Sequence, residues 1–274
     1  MRSPTGWRSG GHTTARAPTE SVSIVVTHLP EFGITAVSSW VFNCYVVHDG
    51  GAGRPMLVDP GVPSVTRRAL ELIASRGSAA VAVVATHGHA DHVGGLGVID
   101  TRESTLALPD RIRSFLDGEP PRSPALGEIA LIRPVLRDQP FSLRPVLEVA
   151  RTRRHTGVDG RGARLPRAAD QWLADGDTVA GAPDWEVIHT PGHTDDSTSL
   201  WNPTTRVLLS GDAVLSVRGR AWFTPELVDS DLAAATEERL RPLPVRALLP
   251  GHGRPVVGRS VMTHAIGPDG PTGG

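Results

Sequence analysis

The 274 residues contain no lysine, one cysteine, one tyrosine and no apolar run near the ~20 residues needed to cross a bilayer. Each shortage excludes something. A lone cysteine, Cys44, rules out an internal disulfide and a thiolate-rich metal site. Within the apolar stretch 40–47 it reads as a small buried hydrophobe. The 28 basic residues are all arginine and face 29 acidic ones, giving a formal net charge of -1. Such a balance offers no general attraction to nucleic acid or an anionic membrane, so a small-molecule partner is expected. Residues 1–20 are rich in Gly, Ser, Thr, Pro and Arg with no hydrophobic centre. They read as a disordered lead rather than a secretory signal, which makes a cytoplasmic location the expectation. Residues 21–260 read as the folded domain, and the Gly- and Pro-rich stretch 261–274 as a flexible tail.

Histidine and aspartate are where the chain is specific. His87, His89, Asp91 and His92 lie in THGHADHVGG, His193 in TPGHT, Asp212 in SGDAV and His252 in PGHGRP. Seven nitrogen and oxygen donors suffice for two transition-metal ions. Alternate side chains of a strand face opposite ways, so ligands this close in sequence belong on irregular turns after strands. Strands are predicted just upstream, at 81–86, 185–189, 206–210 and 246–249. Imidazole and carboxylate suit zinc first, with manganese, iron or cobalt as alternatives, and the lack of thiolate points to a catalytic site. His12, His28, His48, His155 and His264 have no such company and read as ordinary surface or core residues. His189 suggests an additional base, but its place at a strand end favours packing.

Further strands are predicted at 22–27, 39–47 and 56–58. A helix is predicted over 65–76 with Ser64 as N-cap, short helices over 108–116 and 124–136, and another over 232–240. Alternating strands and helices indicate an α/β protein. Arg151, Arg153, Arg154, Arg161, Arg164 and Arg167 form a basic segment that could grip a carboxylate, a phosphate or a coenzyme A tail. The plainer reading is a solvated loop.

These motifs, with Leu57-Val58-Asp59-Pro60-Gly61 and in this order across roughly residues 23–258, resemble the metallo-β-lactamase-fold hydrolase superfamily, in its glyoxalase II/lactonase-like branch. The resemblance implies an αββα sandwich of two mixed β-sheets flanked by helices, with metals in a cleft at the sheet edges. It implies that His87, His89 and His193 bind one ion, that Asp91, His92 and His252 bind a second, and that Asp212 bridges them. Asp59 would fix a ligating ring through its free N–H. The implied cofactor is Zn2+, two per chain, with Mn2+ or Fe2+ possible. The implied reaction is attack by a metal-bound hydroxide on an ester, thioester, lactone or related small acyl group, with Asp91 and Asp212 as the catalytic carboxylates. A persulfide dioxygenase-like iron oxidoreductase and a β-lactam hydrolase are the alternatives.

Three departures narrow the resemblance. Leu215 stands where acyl-homoserine-lactone lactonases usually carry a tyrosine. Only 22 residues follow His252, against the helical glutathione-binding region of glyoxalase II enzymes. Asp195-Asp196 replaces the common Pro-Gly after the third ligand. The stretch of about 100–170 falls where members vary their substrate-facing elements, and part of it is expected to cover the site.

Overall fold

The computed structural model describes residues 24–51, 53–100, 104–124 and 130–270. The N-terminal lead expected at 1–20 lies outside them. The chain begins with an antiparallel meander: β1 (Ile24–Leu29), β2 (Ile34–Ser39), β3 (Phe42–Gly51) and β4 (Arg54–Val58). Helix α1 (Pro63–Ala74) leads to β5 (Ala82–Val84), which pairs in parallel with β4. The short α2 (Ala90–Val93), β6 (Thr105–Pro109), α3 (Ile112–Leu116), α4 (Arg133–Arg137) and α5 (Leu143–Thr152) follow. A hairpin of β7 (Gly157–Asp159) and β8 (Gly162–Arg164) precedes β9 (Gln171–Leu173), which closes the first sheet in the order β1-β2-β3-β4-β5-β6-β9.

The second sheet takes β10 (Thr178–Val179), β11 (Ala182–His189), β12 (Thr198–Asn202) and β13 (Val207–Gly211). After a separate hairpin, β14 (Val214–Val217) and β15 (Arg220–Phe223), helix α6 (Ser230–Leu240) crosses back to β16 (Ala247–Pro250) and β17 (Val256–Val257). Strand β16 pairs in parallel with β13 and antiparallel with β17, so both sheets are mixed.

Strand alternation sorts the apolar residues into layers. Met56 and Val58 of β4 and Val207 and Leu209 of β13 point into a core between the sheets, where Trp185 and Leu200 join them. Leu57 faces the other way, onto Val65, Ala69 and Ile73 of α1. Leu208 and Leu248 likewise turn outward, toward Leu240 of α6. Helix, sheet, sheet, helix is the αββα arrangement expected.

Several local expectations change. The single strand expected over 39–47 is split by a two-residue reversal, because Trp40 adopts φ 53 and Ser39 then pairs with Phe42. No glycine, asparagine or proline marks that turn, and β2 escapes sequence reading. Ser64 is not the N-cap of α1. Val62 holds that position without a side-chain bond, Pro63 starts the helix, and the Ser64 amide donates to Glu148 Oε2 at 2.8 Å. Helix α6 starts two residues earlier than expected, where Asp229 Oδ1 accepts from the amides of Asp231 and Leu232. Of the two short helices expected early in the 100–170 stretch, the first gives part of its length to β6, and the second contracts to α4 among the described residues. The expected tail is not free through residue 270. Val261, Met262 and Ala265 are buried with Leu240, and the Trp222 indole donates to Gly267 O.

Candidate metal centre

Every donor segment lies just beyond a strand at one end of the two sheets. β4 ends in Asp59, which takes φ 53, and its amide donates to Val84 O of the neighbouring β5. Beyond β5 the chain leaves the sheet, so His87 and His89 sit on irregular backbone while Asp91 and His92 share the single turn of α2. β11 delivers the His193 turn, β13 delivers Asp212, and β16 delivers His252. The first sheet thus supplies four donors and the second sheet three.

All seven residues converge. Donor atoms of His87, His89 and His193 lie within 4.8 Å of one another, as do those of Asp91, His92 and His252, and those of His87, His92 and Asp212. Asp212 stands between the two triads. Its Oδ2 is 3.9 Å from His87 Nε2, 3.5 Å from His193 Nε2 and 3.2 Å from His252 Nε2, and its Oδ1 is 3.5 Å from His92 Nε2. His252 Nε2 also lies 3.2 Å from Asp91 Oδ2.

The residues present fit a pair of divalent cations. His87 Nε2, His92 Nε2 and Asp212 Oδ1 are buried with no hydrogen-bond partner. Buried polar atoms rarely stay unsatisfied without a reason, because each costs about 1–3 kcal/mol. The donor set, imidazole with carboxylate and no thiolate, is one that divalent transition metals take. Charge tells the same story. Burial and the neighbouring rings of His92 and His89 hold His87 well below the usual imidazole pKa. Burial and His193 push His89 down to about 3. Burial alone would also lower His92 and His252, yet Asp212 with Asp59 raises the first, and Asp212 with Asp91 raises the second to about 10. Asp212 is held well below the carboxylate range, since His252 and His92 outweigh its burial. Without an ion, protons on two rings offset two carboxylates.

Supporting groups hold the donors in place. Asp59 Oδ1 accepts from the Thr86 amide at 2.7 Å, its carboxylate takes the Thr86 hydroxyl, and its Oδ2 lies 3.1 Å from His92 Nδ1. That contact aims His92 Nε2 at Asp212. His193 is fixed on its other side, with Nδ1 donating to Glu226 O at 2.8 Å.

Other groups escaped the sequence reading. Asn43 Nδ2 donates to the carbonyls of Pro250 and Gly253, and the Tyr45 hydroxyl to Pro250 O, so β3 clamps the His252 loop. A polar residue inside an apolar strand was the available signal. Gly251 must lack a side chain, because a Cβ there would sit 2.2 Å from Asp212 Oδ1 and 2.6 Å from His92 Cε1. Asp196 is buried and accepts from the Gly88 amide at 2.7 Å, tying the turn after β11 to the His87-His89 loop. Asp195 is instead ion-paired to Arg122, whose Nη1 also reaches Asp229 at 3.1 Å. His189 takes no part in the donor cluster; its Nε2 lies 3.1 Å from Asp195 O.

A cavity of about 440 Å³ opens onto His89, Asp91, His193, Asp212 and His252. Its far wall comes from the 130–160 stretch and from the β2–β3 turn. Of the six arginines considered for anion binding, Arg153 alone lines it. Arg153 Nε is bonded to Asp159 Oδ2 at 2.9 Å, Arg164 pairs with the same carboxylate, and Arg167 pairs with Asp170. Half the set is therefore paired with acids within its own segment, two of the three arginines sharing Asp159.

Comparison with known proteins identifies the family and the fold. The family model of the metallo-beta-lactamase superfamily matches residues 42–252. A probable metallo-hydrolase of Bacillus subtilis, YflN, is 28% identical over 225 residues, 75% of this chain and 77% of its own length. Among solved structures, the BLEG-1 B3 metallo-beta-lactamase superposes with TM-score 0.53 at 24% identity, covering 79% of this chain and 88% of that one. TTHA1623, solved in a di-iron-bound form, superposes with TM-score 0.51 at 22% identity, covering 81% and 92%.

Proposed function

The chain belongs to the metallo-beta-lactamase superfamily, and from that premise we propose that it is a binuclear metal-dependent hydrolase of small acyl substrates such as esters, thioesters or lactones. The observation that carries the reading is Asp212, one carboxylate set between two complete donor triads and within 3.9 Å of imidazole nitrogens from both. His87, His89 and His193 would hold one ion, Asp91, His92 and His252 the other, and Asp212 both. Zinc suits the donors best, with manganese and iron as alternatives; TTHA1623 in its di-iron-bound form is a fold neighbour with an iron pair.

Bound divalent ions supply Lewis acidity, lowering the pKa of water from 15.7 to about 7 and polarising a carbonyl oxygen. The chain's own groups do the rest. Asp91 lines the cavity, and its side chain keeps 20% exposure, so it can pass a proton to a departing alkoxide or thiolate. His252 Nδ1 lies 3.3 Å from Val41 O, which holds the ring with Nε2 turned toward Asp91 and Asp212. Asp59 and Glu226 O fix the rings of His92 and His193, so the donors need no rearrangement when charge develops. The substrate proposed is a small molecule and not nucleic acid, supported by a concave cavity of about 440 Å³ and the near-zero net charge. No helix among the described residues is long and apolar enough to cross a membrane, and a cytoplasmic location is part of the same proposal.

The test is elemental mass spectrometry of the purified chain with turnover of aryl esters, thioesters, lactones and a β-lactam, before and after chelation. About two divalent ions per chain with chelator-sensitive acyl hydrolysis is the expected result. About one iron per chain, oxygen uptake and no acyl turnover would replace the reading with oxidoreductase chemistry.

A further inference from the structure

The cavity wall facing the candidate metal centre is built of hydrocarbon. Trp40, Phe42, Leu136, Phe141, Val146 and Val149 line it, drawn from the β2–β3 turn, α4, α5 and the segment between those helices. The aromatic part is assembled deliberately. Trp40 holds a left-handed backbone at φ 53, uncommon for a bulky residue. Its indole N–H donates to Leu136 O at 3.0 Å, and its ring meets Phe42 and Phe141 edge-on, with centroids 5.9 and 4.9 Å apart. Phe141 is 66% exposed and Leu143 and Leu147 are 55% and 43% exposed, so apolar surface continues from the wall out onto α5. The one cation on this wall, Arg153, is ion-paired with Asp159. Arg164 shares that carboxylate, so one net positive charge stays at the cavity's edge, while along the apolar wall itself an uncharged chain meets a surface of its own kind.

We infer that the substrate carries a hydrocarbon chain beside its reacting bond, seated against the Trp40, Phe42 and Phe141 wall while that bond lies at the Asp91 and Asp212 end. The inference rests on the hydrolase reading and deepens it by naming the substrate class. At about 30 Å³ for a water-sized group, 440 Å³ accommodates roughly fifteen non-hydrogen atoms, those of the reacting group included. A chain of about eight carbons fills it.

Two series of esters test this on the metal-loaded full chain. One varies the acyl chain from acetyl to dodecanoyl with a fixed p-nitrophenolate leaving group. The other holds acetyl fixed and lengthens an n-alkyl leaving group. kcat/KM should climb roughly fourfold per methylene, up to about eight carbons, in one series, and that series identifies the side of the bond that enters the cavity. Phe141→Ala and Val146→Asp should flatten that climb while metal per chain stays constant. A calorimetric titration with n-alkanoates from butanoate to dodecanoate reads the same preference without turnover. Turnover that is indifferent to length in both series, with equal affinity across the alkanoates, overturns the inference and leaves the hydrolase reading intact. Length-dependent alkanoate binding with no turnover of any ester does the reverse.

Discussion

The donor edge and the cavity wall face each other across one cavity and are specified in opposite ways. At the donor edge most residues are buried, the groups that support the donors have named partners, and the permitted side chains are few. Gly251 is closed to any side chain by Asp212 and His92, and Asp59 is held by Thr86 from two directions. Along the wall, α5 buries only Pro145 among its ten residues and presents Leu143 and Leu147 to solvent. Its requirement is apolar character over an area, which many sequences satisfy. One side is set by chemical identity, and the other by shape and polarity. A protein divided in this way can change what it accepts with little disturbance to the groups that react.

Substitutions on each side sharpen that contrast. The largest effect is expected from Asp212→Ala, which removes the carboxylate facing both triads. Metal per chain should fall from about two to one or none, with turnover falling by more than the ~10–100-fold typical of a residue that only orients a ligand. Elemental analysis and ester kinetics check it, and a variant that retains both ions would break the assignment. Next comes pH. His252 must give up its proton to become a ligand, and its pKa is raised to about 10 in the ion-free chain. His92 is held protonated as well, so apparent affinity at that site should rise with pH by about a hundredfold per unit, two protons being released for each ion bound. A competition titration against a buffered chelator, after correction for the chelator's own protons, would show a slope lower by about tenfold per unit if His252 were not a ligand.

Asp59→Asn keeps the shape but removes the charge beside His92 Nδ1. Metal affinity should weaken by about 10–100-fold while the fold persists. Circular dichroism and the same titration separate the two effects. On the opposite wall, Leu147→Gln changes an exposed position of α5, and its effect on stability should stay within about 0.5 kcal/mol, with metal content unaltered. Thermal denaturation measures it. A large loss there would show that the wall is as tightly specified as the donor edge.

The same division governs what could be read from the chain itself. The donor segments stand out because His, Asp and Gly recur at short spacings after apolar strands, and few structures other than a metal site demand that pattern. The β2–β3 reversal leaves no mark, since Trp40 enters a left-handed conformation for the sake of contacts with Leu136 and Phe141, about a hundred residues away in sequence. Asn43 was visible as a polar intrusion in a strand, but its task, holding the His252 loop through Pro250 and Gly253, depends on residues some two hundred positions later. The role of Asp196 is hidden for a similar reason, because its partner is a backbone amide at Gly88. Local pattern reveals the elements and the reactive residues, while long-range contact decides turns, supports and walls.

The origin of the donors in both sheets has a further consequence. Ions shared by His87, His89, Asp91 and His92 from one half and by His193, Asp212 and His252 from the other would act as a cross-link between halves that otherwise adhere mainly through their apolar faces. Opening the sandwich would then require releasing them. Folded lifetime would then be coupled to the free-metal level, with about 2.7 kcal/mol of added stability for each site when the ion stands at a hundredfold its dissociation constant. A chain starved of metal would be lost to proteolysis first, so the cell would keep mainly the copies able to work.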